Sequence, residues 1–452
     1  MSQIRVSADR VFPILKESIL VDGFHIVIDL EKSHGTTMVD ALTGKEYLDC
    51  YAYFATLPIG HNHPGLEDGG FRETLLRAAL ANPANSDVYS REYAAFVEIF
   101  RRVAVPEPFQ RLFFIAGGAL AVENGMKAAF DWKAQKNRVR GIEGGADKIL
   151  HFTDAFHGRS GYTLSVTNTD PTKTRDFPTF AWPRVSNPKL SFPVHEEAVG
   201  NSEARAVVEI EAAFDKDPHG IAAILVEPIQ SEGGDNHFRP EFLQSLRRIA
   251  DEREALLLFD EVQTGMGITG TMWAYQQMGM VPDIVAFGKK AQVCGIMVGP
   301  RIDEVEKNVF RVSSRINSTW GGNLVDMVRS ARYLEIIEED ALVESTAAVG
   351  AFFLDLLHEV QAEFPEIVSN ARGRGLLLAF DLPDTATRSA VRQKCWDQGL
   401  ATLACGPRSL RFRPSLIFSE DDAGRAVGLL RQVLASLGSN RRTVPVGTGA
   451  AI

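Results

Sequence analysis

Leu256-Leu257-Leu258-Phe259-Asp260-Glu261-Val262-Gln263 and Pro282-Asp283-Ile284-Val285-Ala286-Phe287-Gly288-Lys289 are the two stretches that decide the fold. Each holds a short apolar run between polar residues, which reads as a buried strand. Each run ends in an ionisable group, Asp260 in the first and Lys289 in the second. The two groups stand 289 − 260 = 29 residues apart, enough for one crossover between neighbouring parallel strands. Ligands of open α/β sheets bind outside the carboxyl ends of the strands. The pattern therefore delivers a carboxylate and an amine to the place where a ligand is expected.

Working outward, helical patterns alternate with short apolar runs from about residue 76 to 325. The further strand candidates are Leu112 to Ile115, Lys148 to Phe152 and Ile221 to Val226. Such alternation predicts a mostly parallel central sheet with helices on both faces. Residues 1–75 read as an N-terminal segment with strand candidates Phe24 to Ile28 and Tyr47 to Cys50. Residues 326–452 read as a smaller α+β domain. It opens on one long amphipathic helix over roughly 324–362, continues through strands near Gly375 to Phe380 and Leu410 to Arg413, and closes on a helix over about 420–436. The tail from Ser439 is expected to fray. The expected class is thus α/β in three parts: 1–75, 76–325 and 326–452.

Composition narrows the function. The 452 residues carry 48 basic and 58 acidic side chains, a net charge of −10, which argues against nucleic-acid and anionic-membrane partners. No apolar stretch is long enough to span a bilayer, and Met1 to Val6 lack the apolar core of a secretory signal. The four cysteines show no CxxC spacing and read as reduced thiols of a cytoplasmic protein. No metal site is expected: the histidines form no HExxH, and His61-Asn62-His63-Pro64 reads as a loop.

Other candidate residues follow the strands. Gly117-Gly118-Ala119 succeeds Leu112 to Ile115, and small residues at a strand-to-helix junction expose N–H groups that seat a phosphate; alone they also read as a packing turn. Phe156-His157-Gly158-Arg159 succeeds the next strand, offering a ring for stacking and a guanidinium fork for a carboxylate. Glu227 and Glu232 follow Ile221 to Val226, Thr319 lies in a Ser/Thr-rich turn, and Arg411 shares a strand face with Arg413. A lysine and an aspartate at neighbouring strand ends suit pyridoxal phosphate, which takes a lysine for its Schiff base and an aspartate for its pyridinium nitrogen.

Taken in order, these segments resemble the class-III, fold-type-I pyridoxal-phosphate-dependent aminotransferases. Within that family they most resemble the members acting on the 6-amine of L-lysine. The resemblance runs from about Asp22 to the last helix, and its most specific span is Leu257 to Glu261, Asp283 to Val285 and Gly288-Lys289. It implies that Lys289 bonds the cofactor and moves protons, and that Asp260 pairs with the ring nitrogen. Gln263 bonds the ring hydroxyl, Phe156 stacks, and His157 lies beside the ring. Gly118 and Ala119 hold the phosphate. Thr319 reaches the phosphate of a neighbouring subunit, so a homodimer is implied. Arg159 takes the distal carboxylate, and Glu232 with Arg411 forms a switch pair, Glu232 neutralising Arg411 for lysine and leaving it for glutamate.

The implied reaction is transfer from L-lysine to 2-oxoglutarate, giving 2-aminoadipate 6-semialdehyde and L-glutamate. Ornithine, 4-aminobutyrate or diaminobutyrate transfer is the nearest alternative, and an aminomutase or decarboxylase the alternative of another class. Two departures stand out. Gly117-Gly118-Ala119 lacks the hydroxyls usual in that turn, and Lys290-Ala291-Gln292 stands where a Gly-rich stretch is usual.

Overall fold

A computed structural model describes residues 6–441. Its central sheet has seven strands: β1 (Arg111–Ile115), β2 (Lys148–Phe152), β3 (Arg184–Val185), β4 (Ile221–Val226), β5 (Leu256–Asp260), β6 (Ile284–Phe287) and β7 (Cys294–Val298). They lie in the order β1-β7-β6-β5-β4-β2-β3. β5 and β6 are parallel neighbours, with Asp260 opposite Ala286. β7 alone runs opposite to the other six strands. β7 and the two-residue β3 are absent from the sequence expectation.

Side-chain alternation assigns the two faces. Leu256 and Leu258 share a core with Met126 and Trp132 of helix α1 (Gly118–Val139). Leu257 and Phe259 share the opposite core with Phe242 and Leu246 of helix α2 (Pro240–Glu252). Period-two alternation of a run that is apolar on both sides is what a covered parallel strand requires. Each of these fully buried side chains contributes roughly 1.5–3 kcal/mol of transfer free energy, so β5 fixes both layers at once.

The expected helix over 324–362 is two helices, α3 (Leu324–Glu339) and α4 (Leu342–Glu363), bent by 65° at a break where Ala341 takes φ 49°. The bend has a packing cause. Leu324, Met327 and Leu334 of α3 belong to the core of the central sheet, whereas Phe353, Leu357 and Val360 of α4 belong to a second core. That second core covers an antiparallel sheet of β8 (Ser369–Arg374), β9 (Leu377–Asp381), β10 (Leu403–Cys405) and β11 (Ser409–Phe412), ordered β8-β9-β11-β10. The final helix, Glu420–Arg441, closes it. It takes in the first three residues expected to fray, and residues beyond 441 lie outside the described ones.

The N-terminal segment completes this second unit. Strand Glu46–Asp49 pairs antiparallel with Thr37–Val39 and parallel with Leu400–Ala401, and Leu48, Cys50 and Ile59 join its core. The strand expected over Phe24 to Ile28 does not form. Ile28 makes only an isolated bridge to Asp40, and Phe24 instead stacks on Trp396 with ring centroids 4.6 Å apart. Among the described residues no single helix is long and apolar enough to cross a membrane.

Candidate active site

Asp260 closes β5 and is 6% exposed. Its Oδ1 accepts the N–H of Val262 at 3.0 Å, and its Oδ2 lies 2.8 Å from His157 Nδ1. The other His157 nitrogen, Nε2, is buried without a partner. Glu261, next in sequence, serves a different purpose. Its carboxylate accepts the N–H groups of Ala274 and Tyr275 and the hydroxyl of Thr264, and burial pushes its pKa up to about 7. Period-two geometry thus sends one carboxylate into the cavity and the other under the following turn.

Lys289 leaves β6 through Gly288 and takes φ 50° at the start of a single 3₁₀ turn, Lys289–Ala291. The two lysines therefore diverge within a turn. Lys289 lines a cavity of about 600 Å³ together with Asp260. Lys290 is 2% exposed, and its Nζ donates to the carbonyls of Gln263 at 2.8 Å and Ala55 at 3.5 Å. Gln292, which also lines the cavity, donates to Thr56 O at 2.6 Å. The Lys-Ala-Gln departure thus ties the cavity wall to residues 52–55, which all carry positive φ between 42° and 62°. Non-glycine residues hold that conformation only where their surroundings fix it.

Burial, and next the charge of Arg411, push the Lys289 amine down to about 8. The sign is that of a cation made harder to keep, so the neutral, nucleophilic form is favoured. At pH 7.5 about a quarter of the amine is neutral, against roughly one part in a thousand for an ordinary lysine. The expected result is that the rate of pyridoxal-phosphate uptake by cofactor-stripped protein rises with a midpoint near pH 8. A midpoint above 10 in stopped-flow absorbance would contradict this environment.

The phosphate turn opens α1. Gly117 has φ 114° and no side chain caps the helix, so its first N–H groups have no intrahelical acceptor. Gly118 and Ala119 line the cavity. Gly158 has φ 123°, and a Cβ there would stand 2.5 Å from Ala119 Cβ; glycine lets the Phe156-to-Arg159 loop close onto the helix. Glu227, buried after β4, accepts the N–H of Phe156 at 2.9 Å and that of Ser231 at 3.1 Å. Burial, and next the charge of Asp260, hold its carboxyl well above the usual range.

Phe156, His157, Arg159, Glu232 and Gln263 also line the cavity, Arg159 at its exposed edge. Two expected residues do not. Arg411, 2% exposed, sits behind Gln263 and donates from Nη1 to Gln263 Oε1 and to Ser231 O, each at 3.1 Å. Thr319 is exposed, and its carbonyl accepts from Ser86 at 3.0 Å. The expected Glu232–Arg411 ion pair is not formed. Glu232 instead pairs with Lys173 and accepts from Thr169, because the turn Pro171–Lys173 brings an ammonium to it. Thr56, Val262 and Cys294 line the cavity without having been expected there, and Glu227, noted only as a carboxylate after a strand, lines it too; Gln292 belongs to the Lys290-Ala291-Gln292 departure already singled out. Of the unexpected four only Glu227 carried a signal, as a carboxylate directly after a buried strand.

A planar pyridine phosphate fits this cavity. Uncapped backbone N–H groups, a buried carboxylate, an aromatic ring, an amine near neutrality and an unpartnered His157 nitrogen converge on it. Fold and site together define a pyridoxal-phosphate-dependent transferase of fold type I. A family model described as Aminotransferase class-III matches residues 20–434. The L-lysine-epsilon aminotransferase of Mycobacterium tuberculosis is 51% identical over 428 residues, 94% of this chain and 95% of that protein. That of Streptomyces clavuligerus is 51% identical over 433 residues, 95% and 94% of the two chains. A solved structure of the lysine aminotransferase from M. tuberculosis matches with a TM-score of 0.94 at 50% identity, covering 96% of this chain and all of that one. The chain belongs to the class-III aminotransferase family, and its cofactor is pyridoxal 5'-phosphate.

Proposed function

We propose that this aminotransferase moves the 6-amine of L-lysine to 2-oxoglutarate, giving 2-aminoadipate 6-semialdehyde and L-glutamate by a ping-pong course. The observation that carries the reading is the meeting of the Lys289 amine and the Asp260 carboxylate in one cavity. The choice of lysine is supported by the 51% identity to L-lysine-epsilon aminotransferases. Pyridoxal phosphate, when bound, supplies the electron sink that lets a proton leave the carbon bearing the amine. Lys289 Nζ takes that proton and returns it, which suits an amine brought near neutrality. Asp260, oriented by His157 and the Val262 N–H, holds a proton on the ring nitrogen by charge. Gln263 turns its Oε1 to Arg411, which leaves its amide N–H₂ for the ring hydroxyl. Phe156 covers the ring face, and Gly118 and Ala119 donate N–H groups to the phosphate.

Arg159, exposed at the edge of the cavity, takes the carboxylate of lysine that lies far from the transferred amine. Thr319 serves the phosphate of a second subunit in a homodimer. Its exposure and its place outside the lining of its own cavity support that role, as do Tyr89, 80% exposed, and Trp320, 47% exposed, on the neighbouring surface. Four free cysteines, three of them buried, suit a reducing cytoplasm.

The test is a half-reaction panel on purified holoenzyme with L-lysine, ornithine, 4-aminobutyrate and diaminobutyrate, read by loss of the cofactor's visible absorbance. L-lysine is expected to react about 10-fold or more faster than ornithine, the discrimination one methylene supports. A faster ornithine or 4-aminobutyrate reaction would move the assignment to that substrate. Release of CO₂ without need of a 2-oxo acid would replace transfer by decarboxylation.

A further inference from the structure

We propose that Lys173 is a positioning residue that sets which substrate carboxylate the site accepts, by holding the Glu232 side chain away from Arg411. The proposal deepens the two-substrate reading above and rests on it. Glu232 gives one carboxylate oxygen to the Lys173 ammonium and the other to the Thr169 hydroxyl. Lys173 Nζ also donates to Thr169 Oγ1 at 3.1 Å, which closes a three-membered cluster. The pair is shielded, with Lys173 22% and Glu232 29% exposed, so it is screened less than a surface pair.

The cluster is built in place. Asp170 accepts the N–H of Thr172 at 2.9 Å and, through its carbonyl, that of Lys173 at 3.0 Å. The ammonium of Lys173 lies 5.3 Å from the centroid of Phe156, the ring that lines the cavity. The backbone of Glu232 is pinned, since its carbonyl accepts the N–H of Gly406 at 2.9 Å. A Cβ on the next residue, Gly233, would meet Asp154 O at 1.9 Å. Only the side chain of Glu232 is left to move.

In this proposal Arg411 is the alternative cation for the same carboxylate. Its Nη1 already donates to Ser231 O, one residue before Glu232. It is 2% exposed, its recorded acceptors are the neutral oxygens of Ser231 and Gln263, and its Nε is buried without a partner. Lys173 thus holds the anion in this structure, and Arg411 is left with neutral acceptors only. With Glu232 on Lys173, Arg411 keeps a full charge, and a carboxylate beside the reacting carbon is welcome, as in glutamate and 2-oxoglutarate. With Glu232 on Arg411 that charge is cancelled, and the site suits an amine-bearing chain whose carboxylate is remote.

The experiment compares holoenzymes carrying Lys173→Met, Lys173→Arg and Thr169→Val. Glutarate, a dicarboxylate without an amine, is titrated by calorimetry, and the lysine and glutamate half-reactions are followed separately. Lys173→Met is expected to weaken glutarate binding and raise KM for 2-oxoglutarate about tenfold, the worth of one charge-assisted contact, with the lysine half-reaction within about twofold of wild type. Lys173→Arg restores both, and Thr169→Val shifts both the same way by less. In a Glu232→Gln background Lys173→Met adds nothing. Equal losses in both half-reactions, unchanged glutarate affinity, or an undiminished effect without Glu232 would overturn the proposal. Failure of lysine to react with wild-type enzyme would instead overturn the substrate assignment, leaving glutarate binding to judge Lys173.

Discussion

Replacing Lys289 with alanine lowers turnover at least about 10⁴-fold, the upper range for a positioned proton-transfer group. Lys289→Arg does no better, because a guanidinium stays protonated at any workable pH. The loss corresponds to about 5.5 kcal/mol of barrier. Lys290 cannot substitute: it is two-point anchored to the Gln263 and Ala55 carbonyls and does not line the cavity. Borohydride reduction of the holoenzyme followed by peptide mass spectrometry is expected to place the cofactor mass on Lys289. A tag on Lys290, or a Lys289→Ala variant retaining one percent of wild-type turnover, would refute the assignment.

Asp260→Asn is expected to lower the single-turnover rate with lysine by roughly 10²–10³-fold, the scale of removing one preorganised electrostatic contact. The substitution preserves shape. An amide oxygen still accepts from the Val262 N–H, now at 3.0 Å from Oδ1. What goes is the negative charge that favours a protonated ring nitrogen, together with the acceptor for His157 if the amide turns its NH₂ toward it. Cofactor remains bound, so the spectrum of the resting enzyme is retained while turnover falls. A variant within threefold of wild type would show that Asp260 supplies position and not charge.

Much of this was legible in the sequence because the site hangs from strand ends. β5 and β6 are buried on both faces, so their apolar runs are unbroken and the first polar residue after each marks the cavity. β7 was not legible, since it opens with Cys294-Gly295 and follows the lysine turn after only Gln292 and Val293. The α3–α4 bend was hidden for another reason: an apolar stripe reports burial but not which of two cores buries it. Lys173 left no trace either. It lies 59 residues before Glu232, and a charge pair between loops has no periodicity to detect. The anchoring of Lys290 was likewise invisible, because its acceptors are backbone carbonyls that any sequence would supply.

The parallel pairing of Glu46–Asp49 with Leu400–Ala401 has a consequence for biosynthesis. An early strand docks against residues made about 350 positions later. At ribosomal speeds of about 5–20 residues per second the early strand waits roughly 20–70 s for its neighbour. During that interval its edge and the apolar side chains of Leu48 and Ile59 lack their final cover, which leaves the nascent chain open to mispairing at that edge.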